Sequence, residues 1–480
     1  MNMDKPHEEC GVFGIYNTTG CNVVHETFLA LYAQQHRGQE SCGIAVSDDG
    51  VFRAYKDQGL VSQVFHQRTL DSLGNGLIAI GHVRYSPSDE LERANAQPLV
   101  IRYAKGSLAV AMNGALVNAY EIKNKLKVGG AIFQTTSNAE IISYVIARER
   151  LQTITIEDAV QNAMDHLKGA YSMVVMSPHK LIAARDPNGF RPLCMGQLNG
   201  NPIFASESCA IESIGGEFIR DVRPGEVVVC DEDGVRSLTK HCGGKSSFCL
   251  FEYIYFARPD SIIEKTSVHF ARRRAGAFLA QESPVEADMV CGVPDSGLDA
   301  ALGYAEESGI PYGTALIKNR YIGRTFIQDT QLHRQASVQV KLNALKSAVD
   351  GKRIVLVDDS IVRGTTCSHI VGMLRHAGAK EVHLRVTAPP FRFPCFFGTD
   401  IRDKKSLIAW RMNAEEMTQS IGADSIGFLS LEHARQIAGN DCGLCDACFT
   451  GDYPLPVPEE WPTSKYEQKI IQLEVDPRNH

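Results

Sequence analysis

Short apolar runs broken by Gly, Asn and Asp dominate the chain from Cys10 to about Val235, as in SLAVAMNGAL and YSMVVM. Runs of this length closed by turn formers predict buried strands. Two stretches in the same region, ETFLALYAQQH and NAEIISYVIARER, carry apolar residues at helical spacing instead. The pattern therefore predicts an α+β unit over residues 10–235, with helices packed on antiparallel sheets. From about Phe251 the alternation changes to strand, turn, helix, strand. It is clearest from Lys352 to Val386, where RIVLV is a β-branched run and DDSIVRGTT a polar turn. CSHIVGMLRHAGA follows with Ile370 and Leu374 four apart, and EVHLRV is the next strand. That order is a βαβ unit, which predicts an α/β domain over 250–450 whose parallel sheet opens a ligand crevice at the carboxyl ends of its strands. A Pro- and Glu-rich tail, 451–480, is expected to be peripheral.

Composition adds bounds. With 480 residues, 44% hydrophobic and 22% charged, the chain can bury two or three domain cores. No internal repeat or low-complexity tract is visible. A formal net charge of -7 gives no general attraction to nucleic acid or an anionic membrane, so any anion site must be local. The start, MNMDKPHEEC, lacks a basic and apolar leader, and no apolar run is long enough to span a bilayer. A soluble cytoplasmic protein is the expectation. Fourteen cysteines at this length read as buried apolar residues plus a few ligands or nucleophiles.

Four groups of residues carry candidate chemistry. Asp358 and Asp359 end a buried strand, and Ser360 to Thr366 lead into a helix through Gly364. Helix-start amides cradle phosphate, and carboxylates hold ribose hydroxyls or hydrated magnesium, although an acidic pair alone is also an ordinary solvated turn. Lys318, Arg320, Arg324 and Lys341 are cations suited to a leaving pyrophosphate or to plain surface. Cys10, if the first nine residues are removed, becomes an N-terminal thiol whose own α-amino group can act as base. Cys442, Cys445 and Cys448 stand at C-x2-C-x2-C spacing, with Cys249 and Cys395 available to complete a site; by spacing alone zinc and iron-sulfur are equal.

VLVDDSIVRGTT resembles the phosphoribosyl pyrophosphate (PRPP) signature of type I phosphoribosyltransferases, and HEECGVFGIY the start of class II glutamine amidotransferases. QQHRGQES, GHVRYS, NAQP, MNG and ARDPNGFRPL follow in the order of that second family. Together they resemble the amidophosphoribosyltransferases over about residues 1 to 455. The resemblance implies an αββα N-terminal-nucleophile (Ntn) glutaminase domain, then an α/β phosphoribosyltransferase domain, with residues 1–9 as a propeptide. It further implies Cys10 as nucleophile, Asn113 and Gly114 as oxyanion hole, and Arg84, Arg37 and Asn138 as glutamine contacts. PRPP would meet Asp358, Asp359, Ser360, Arg363, Gly364, Thr365, Thr366 and the four cations, with Ser296 joining the aspartates around Mg2+. CLFEYIYFARPDS, PCFFGTDI and CxACFTG resemble the segments that ligate a 4Fe-4S cluster in one branch, mapping to Cys249, Cys395, Cys445 and Cys448 and leaving Cys442 unassigned. The family implies purine nucleotides as feedback inhibitors and a homo-oligomer, tetramer or dimer. Two other readings differ: an Ntn amidotransferase making an amino sugar or asparagine would lack VDDSIVRGTT, and a noncatalytic regulator would have no use for Cys10, Asn113 and Gly114.

The sequence departs from the family pattern at three places. TTSNAE puts Asn138 where an aspartate usually holds the ammonium of glutamine; PSDE from Pro87 replaces Thr-x-Gly; Asp329 and Gln339 stand where proline and arginine are common. Weaker glutamine binding is expected from the first.

Overall fold

The computed structural model describes residues 10–85, 93–319, 342–401, 403–439 and 443–458. Arg320, Arg324, Lys341, Asp329, Gln339, Pro87, Cys442 and residues 1–9 lie outside the described residues. The first domain holds strands β1 (Gly11–Tyr16), β2 (Ser41–Asp48), β3 (Val51–Gln58), β4 (Ile78–Arg84), β5 (Leu99–Tyr103), β6 (Gly106–Asn113) and β7 (Ser172–Met176). They continue with β8 (Leu181–Arg185), β9 (Cys194–Leu198), β10 (Asn201–Ala205), β11 (Glu217–Asp221), β12 (Val227–Asp231) and β13 (Gly234–Leu238). One sheet runs β11-β9-β10-β1-β4-β2-β3 and the other β13-β12-β8-β7-β6-β5; all their pairings are antiparallel.

Successive residues of the central strands enter different cores, because side chains alternate across a sheet. In β1, Phe13 and Ile15 meet helix Val23–Ala33, whereas Val12 and Tyr16 fill the space between the sheets. A strand buried on both faces reads as a continuous apolar run, which is what GVFGIY shows. Helices Asn138–Arg150 and Ile156–His166 cover the outer face of the second sheet through Ile142, Ile146, Val160 and Met164. The layers are therefore helix, sheet, sheet, helix. Helix Asn138–Arg150 coincides with the predicted NAEIISYVIARER, and its start is set by Ser137, whose side chain accepts the Ala139 N–H. The last strand, β13, runs past Val235 to Leu238, which pairs with Val227 of β12.

The second domain is built on four parallel strands, Met289–Gly292, Arg353–Asp358, Glu381–Val386 and Ser425–Phe428, bonded in that order. Helix Thr365–His376 is the crossover of the predicted βαβ unit, buried through Ile370, Val371 and Leu374. Phe248, Leu250, Phe251 and Tyr253 belong to the core of this domain, and a short parallel pairing sets Phe248 against Leu444 and Cys249 against Cys445. The first residues of the tail are not peripheral: Tyr453, Leu455 and Val457 pack with Phe190 and Phe397, and the Tyr453 hydroxyl donates to the Pro394 carbonyl at 2.7 Å. Among the described residues no helix is long and apolar enough to cross a membrane.

Candidate active site

Cys10 immediately precedes β1, and the pairing of Gly11 with Val83 sets it at the sheet end beside Arg84 and Tyr85. Its thiol donates weakly to the Tyr85 carbonyl at 3.9 Å. Its own carbonyl accepts from Arg37 Nε at 3.2 Å. The Arg37 guanidinium also bonds Glu207 at 2.6 Å and Glu252 at 2.9 and 3.0 Å, and its side chain has no solvent exposure. Burial opposes its charge, but Glu252 and Glu207 outweigh that and hold its pKa well above the ordinary value. Arg37 thus secures the main chain of the nucleophile and faces away from solvent. Arg84 is nearly buried at the end of β4, and Asn138 is half-buried in the first turn of its helix.

Asn113 ends β6, and Gly114 follows with φ 126°. A Cβ at Gly114 would stand 2.2 Å from the Ala170 carbonyl oxygen, so both the conformation and the space require glycine. Asn113 is 1% exposed, and its Nδ2 has no hydrogen-bond partner among the described residues. Leaving a buried amide donor unsatisfied costs roughly 1–3 kcal/mol. An orphan donor next to a glycine turn is what a site for a developing oxyanion requires, since its energy is recovered when the oxygen arrives.

In the second domain Asp358 and Asp359 are fully buried at the end of their strand. Ser360 Oγ donates to Asp359 Oδ1 at 2.6 Å, Ser296 Oγ donates to Asp359 Oδ2, and the Cys367 thiol donates to Asp358 Oδ2 at 3.7 Å. The structure thereby brings Ser296 against Asp359. Gly364 caps the following helix in the left-handed region, and a Cβ there would meet Ile408 at 2.6 Å. Arg363 and Thr365 are exposed beside it and Thr366 is buried, so the loop offers a helix N-terminus flanked by hydroxyls and a guanidinium. Lys318 is exposed and ion-paired to Asp295, next to Ser296.

Cys249, Cys395, Cys445 and Cys448 line one cavity with Phe190, Phe251, Phe391 and Phe397. Burial pushes the Cys448 thiol well up, and the neighbouring Cys395, Cys249 and Cys445 push it further. Burial likewise raises Cys445 to about 12, with Cys395 adding to it. Among the described residues no group of three or more His, Cys, Asp or Glu closes on a point where a single metal ion would sit. One zinc ion needs thiolates converging at about 2.3 Å from it, whereas a polynuclear cluster takes each thiolate on a separate iron. The four thiols share this one largely apolar cavity.

Sequence reading left out Glu207, Glu252 and Arg191. Arg191 Nε and Nη2 donate to the Phe397 carbonyl at 3.0 and 2.7 Å, and its Nη1 reaches Glu252 at 3.5 Å. A continuous buried path therefore runs from the Cys10 carbonyl through Arg37, Glu252 and Arg191 to the loop after Cys395. The motif strings FEYIYF and GFRPL contain Glu252 and Arg191, but nothing local marks them as partners.

Residues 82–213 match the family model described as glutamine amidotransferase domain, and 267–424 that described as phosphoribosyl transferase domain. The amidophosphoribosyltransferase of Bacillus subtilis is 46% identical over 457 residues, 94% of this chain and 95% of its own length. That of Methanocaldococcus jannaschii is 47% identical, over 93% of this chain and 98% of its own. A solved B. subtilis glutamine PRPP amidotransferase, complexed with ADP and GMP, superposes with a TM-score of 0.87 over 94% of this chain and 98% of that one, at 46% identity. With both domains matched in order and relatives aligned nearly end to end, the chain belongs to the amidophosphoribosyltransferase family.

Proposed function

We propose that the chain frees ammonia from glutamine at Cys10 and adds it to PRPP, giving 5-phosphoribosylamine, glutamate and pyrophosphate, the first step of purine synthesis. The observation that carries this reading is the buried Asn113 Nδ2, without a partner among the described residues, beside Gly114, in the same chain as a buried aspartate pair opening onto a helix N-terminus. Loss of residues 1–9 as a propeptide leaves Cys10 with a free α-amino group, which takes the thiol proton. The thiolate adds to the glutamine side-chain carbonyl while Asn113 Nδ2 and the Gly114 N–H stabilise the oxyanion. Collapse expels ammonia, the Cys10 α-ammonium group returning its proton to the departing nitrogen, and leaves a glutamyl thioester, which water hydrolyses to glutamate. Arg84 clamps the substrate carboxylate and Asn138 accepts from its ammonium group.

Ammonia passes inside the protein to the anomeric carbon of PRPP, because protonated ammonium is not a nucleophile. There the carbon–nitrogen bond forms as the bond to pyrophosphate breaks. Asp358 and Asp359 bind the ribose hydroxyls, and Ser360 to Thr366 the 5-phosphate. Lys318, Arg320, Arg324 and Lys341 receive the pyrophosphate. Mg2+, held by Asp358, Asp359 and Ser296, would supply positive charge to the leaving group. A 4Fe-4S cluster on Cys249, Cys395, Cys445 and Cys448 would cross-link the C-terminal end to the middle of the chain, a structural role. Purine nucleotides as feedback inhibitors, a homo-oligomer and a cytoplasmic location complete the proposal.

The test is PRPP-dependent synthesis of phosphoribosylamine by mature protein, with intact mass reporting the loss of MNMDKPHEE. Cys10→Ala should retain only ammonia-dependent synthesis. Glutamine consumption with no aminated sugar phosphate, even with excess ammonium at alkaline pH, refutes the assignment.

A further inference from the structure

Two buried side chains outside the proposed chemistry close on the main chain of Met112, the residue before the oxyanion donors. On one side β6 pairs with β7 as far as Asn113↔Ser172. On the other, β5 accompanies it only to Leu99↔Val110, since Pro98 has no N–H to extend the ladder. Met112, 2% exposed, would be left with an orphan N–H and C=O on that side. Gln97 and His82 take both. Gln97 Oε1 accepts the Met112 N–H at 2.8 Å, and His82 Nε2, reaching across from β4 in the opposite sheet, bonds the Met112 carbonyl at 3.0 Å.

A carbonyl only accepts, so the proton of the ring lies on Nε2, and Nδ1 has no partner among the described residues. Burial, with Arg84 and Lys56 nearby, holds the imidazole near pKa 3 against the favourable Met112 bond, so it stays neutral at working pH. His82 and Gln97 are themselves 0% and 4% exposed. Gln97 is wedged against the opposite strand, where a Cβ on Gly43 would come within 2.3 Å of its carbonyl oxygen. Since nothing described holds Asn113 Nδ2, the direction of that amide is inherited from the backbone that these two residues pin.

We infer that His82 and Gln97 are positioning residues for the glutaminase reaction: they touch no substrate but fix the Met112 peptide, and so aim Asn113 Nδ2 and the Gly114 N–H at the oxyanion. This rests on reading Asn113 and Gly114 as its donors. In the mature full-length enzyme, His82→Leu and Gln97→Leu should each lower kcat with glutamine by about ten- to a hundredfold, less than loss of a donor itself. The KM for glutamine, ammonia-dependent synthesis and the rate of Cys10 alkylation by iodoacetamide, none of which uses the oxyanion contact, should stay within about twofold of the parent. His82→Gln, which keeps a donor toward the carbonyl, should recover most of the loss. Parallel loss of both glutamine- and ammonia-dependent activity, or a raised KM at unchanged kcat, overturns the inference. If His82→Leu does not accumulate as folded protein, Gln97→Leu and His82→Gln decide it. Asn113→Ala that retains full glutamine kcat would instead sink the oxyanion reading beneath it, a separate result.

Discussion

Replacing Glu252 with glutamine removes one charge from the buried path between the Cys10 main chain and the loop after Cys395. Glu252 is fully buried, accepts two bonds from Arg37 and one from Arg191, and is balanced against them together with Glu207. The variant keeps the shape and leaves the two guanidinium groups facing one carboxylate. Removing one partner of a buried pair costs about 3–5 kcal/mol, because the remaining charge stays desolvated. That is a large part of the roughly 5–15 kcal/mol by which folded domains are stable. It also frees Arg37, whose Nε holds the Cys10 carbonyl, so turnover with glutamine should fall more than turnover with ammonia.

The assay is the urea midpoint followed by loss of near-ultraviolet signal, for Glu252→Gln, Arg191→Met and the double variant. Because Arg191 without Glu252 has less to gain from its charge, the double variant should be more stable than the sum of the singles predicts, by about 0.5–3 kcal/mol. A Glu252→Gln protein within about 0.5 kcal/mol of the parent, the range of ordinary surface changes, would refute the account of the path as an energetically coupled unit.

Other outcomes follow from single residues. Asn138→Asp should lower the KM for glutamine by about fivefold or more, a charged acceptor for an ammonium group being worth roughly twice a neutral one; an unchanged KM refutes it. Purified protein should be brown and lose activity in air. Cys445→Ser should abolish both colour and iron while Cys442→Ser leaves them, and a colourless active protein containing zinc defeats the assignment. His82, with a folded pKa near 3 against about 6.5 unfolded, makes the unfolded chain the stronger proton binder between those values. Stability should therefore fall with pH in that window, by up to about 1.4 kcal/mol per unit, and not change on this account above it. His82→Gln should show a smaller drop in urea midpoint from about pH 7 to about pH 5 than the parent; equal drops exclude the effect. Glu226, held at about 2 because Arg220, Ser237 and Arg223 outweigh the effect of burial, adds acid sensitivity below about pH 4.3 that Glu226→Gln should remove.

What could be read from the sequence follows how local each signal is. Helix Asn138–Arg150 and strand Glu381–Val386 carry their own periodicity and end signals within the segment, so the pattern fixes them to the residue. Helix Ile156–His166 goes beyond the two helices the pattern predicts in its domain, since Ala159 and Ala163 are two of its five buried apolar residues and alanine gives little contrast. The aspartate loop is likewise contiguous, and its strand, turn and helix are visible together. Cys249 and Cys445 are different: only the register of Phe248 on Leu444 brings them opposite one another, and no spacing rule contains that. Arg37 shows the limit most clearly. Its motif marks it as belonging to the glutaminase half, but its charge is claimed by Glu252 in the core of the other domain, 215 residues away. Between residues so far apart a sequence specifies a type of group, and only packing decides which buried carboxylate a guanidinium meets. The same holds for His82, which looks like one polar position in a strand until the neighbouring sheet ends at a proline and leaves a carbonyl for it to hold.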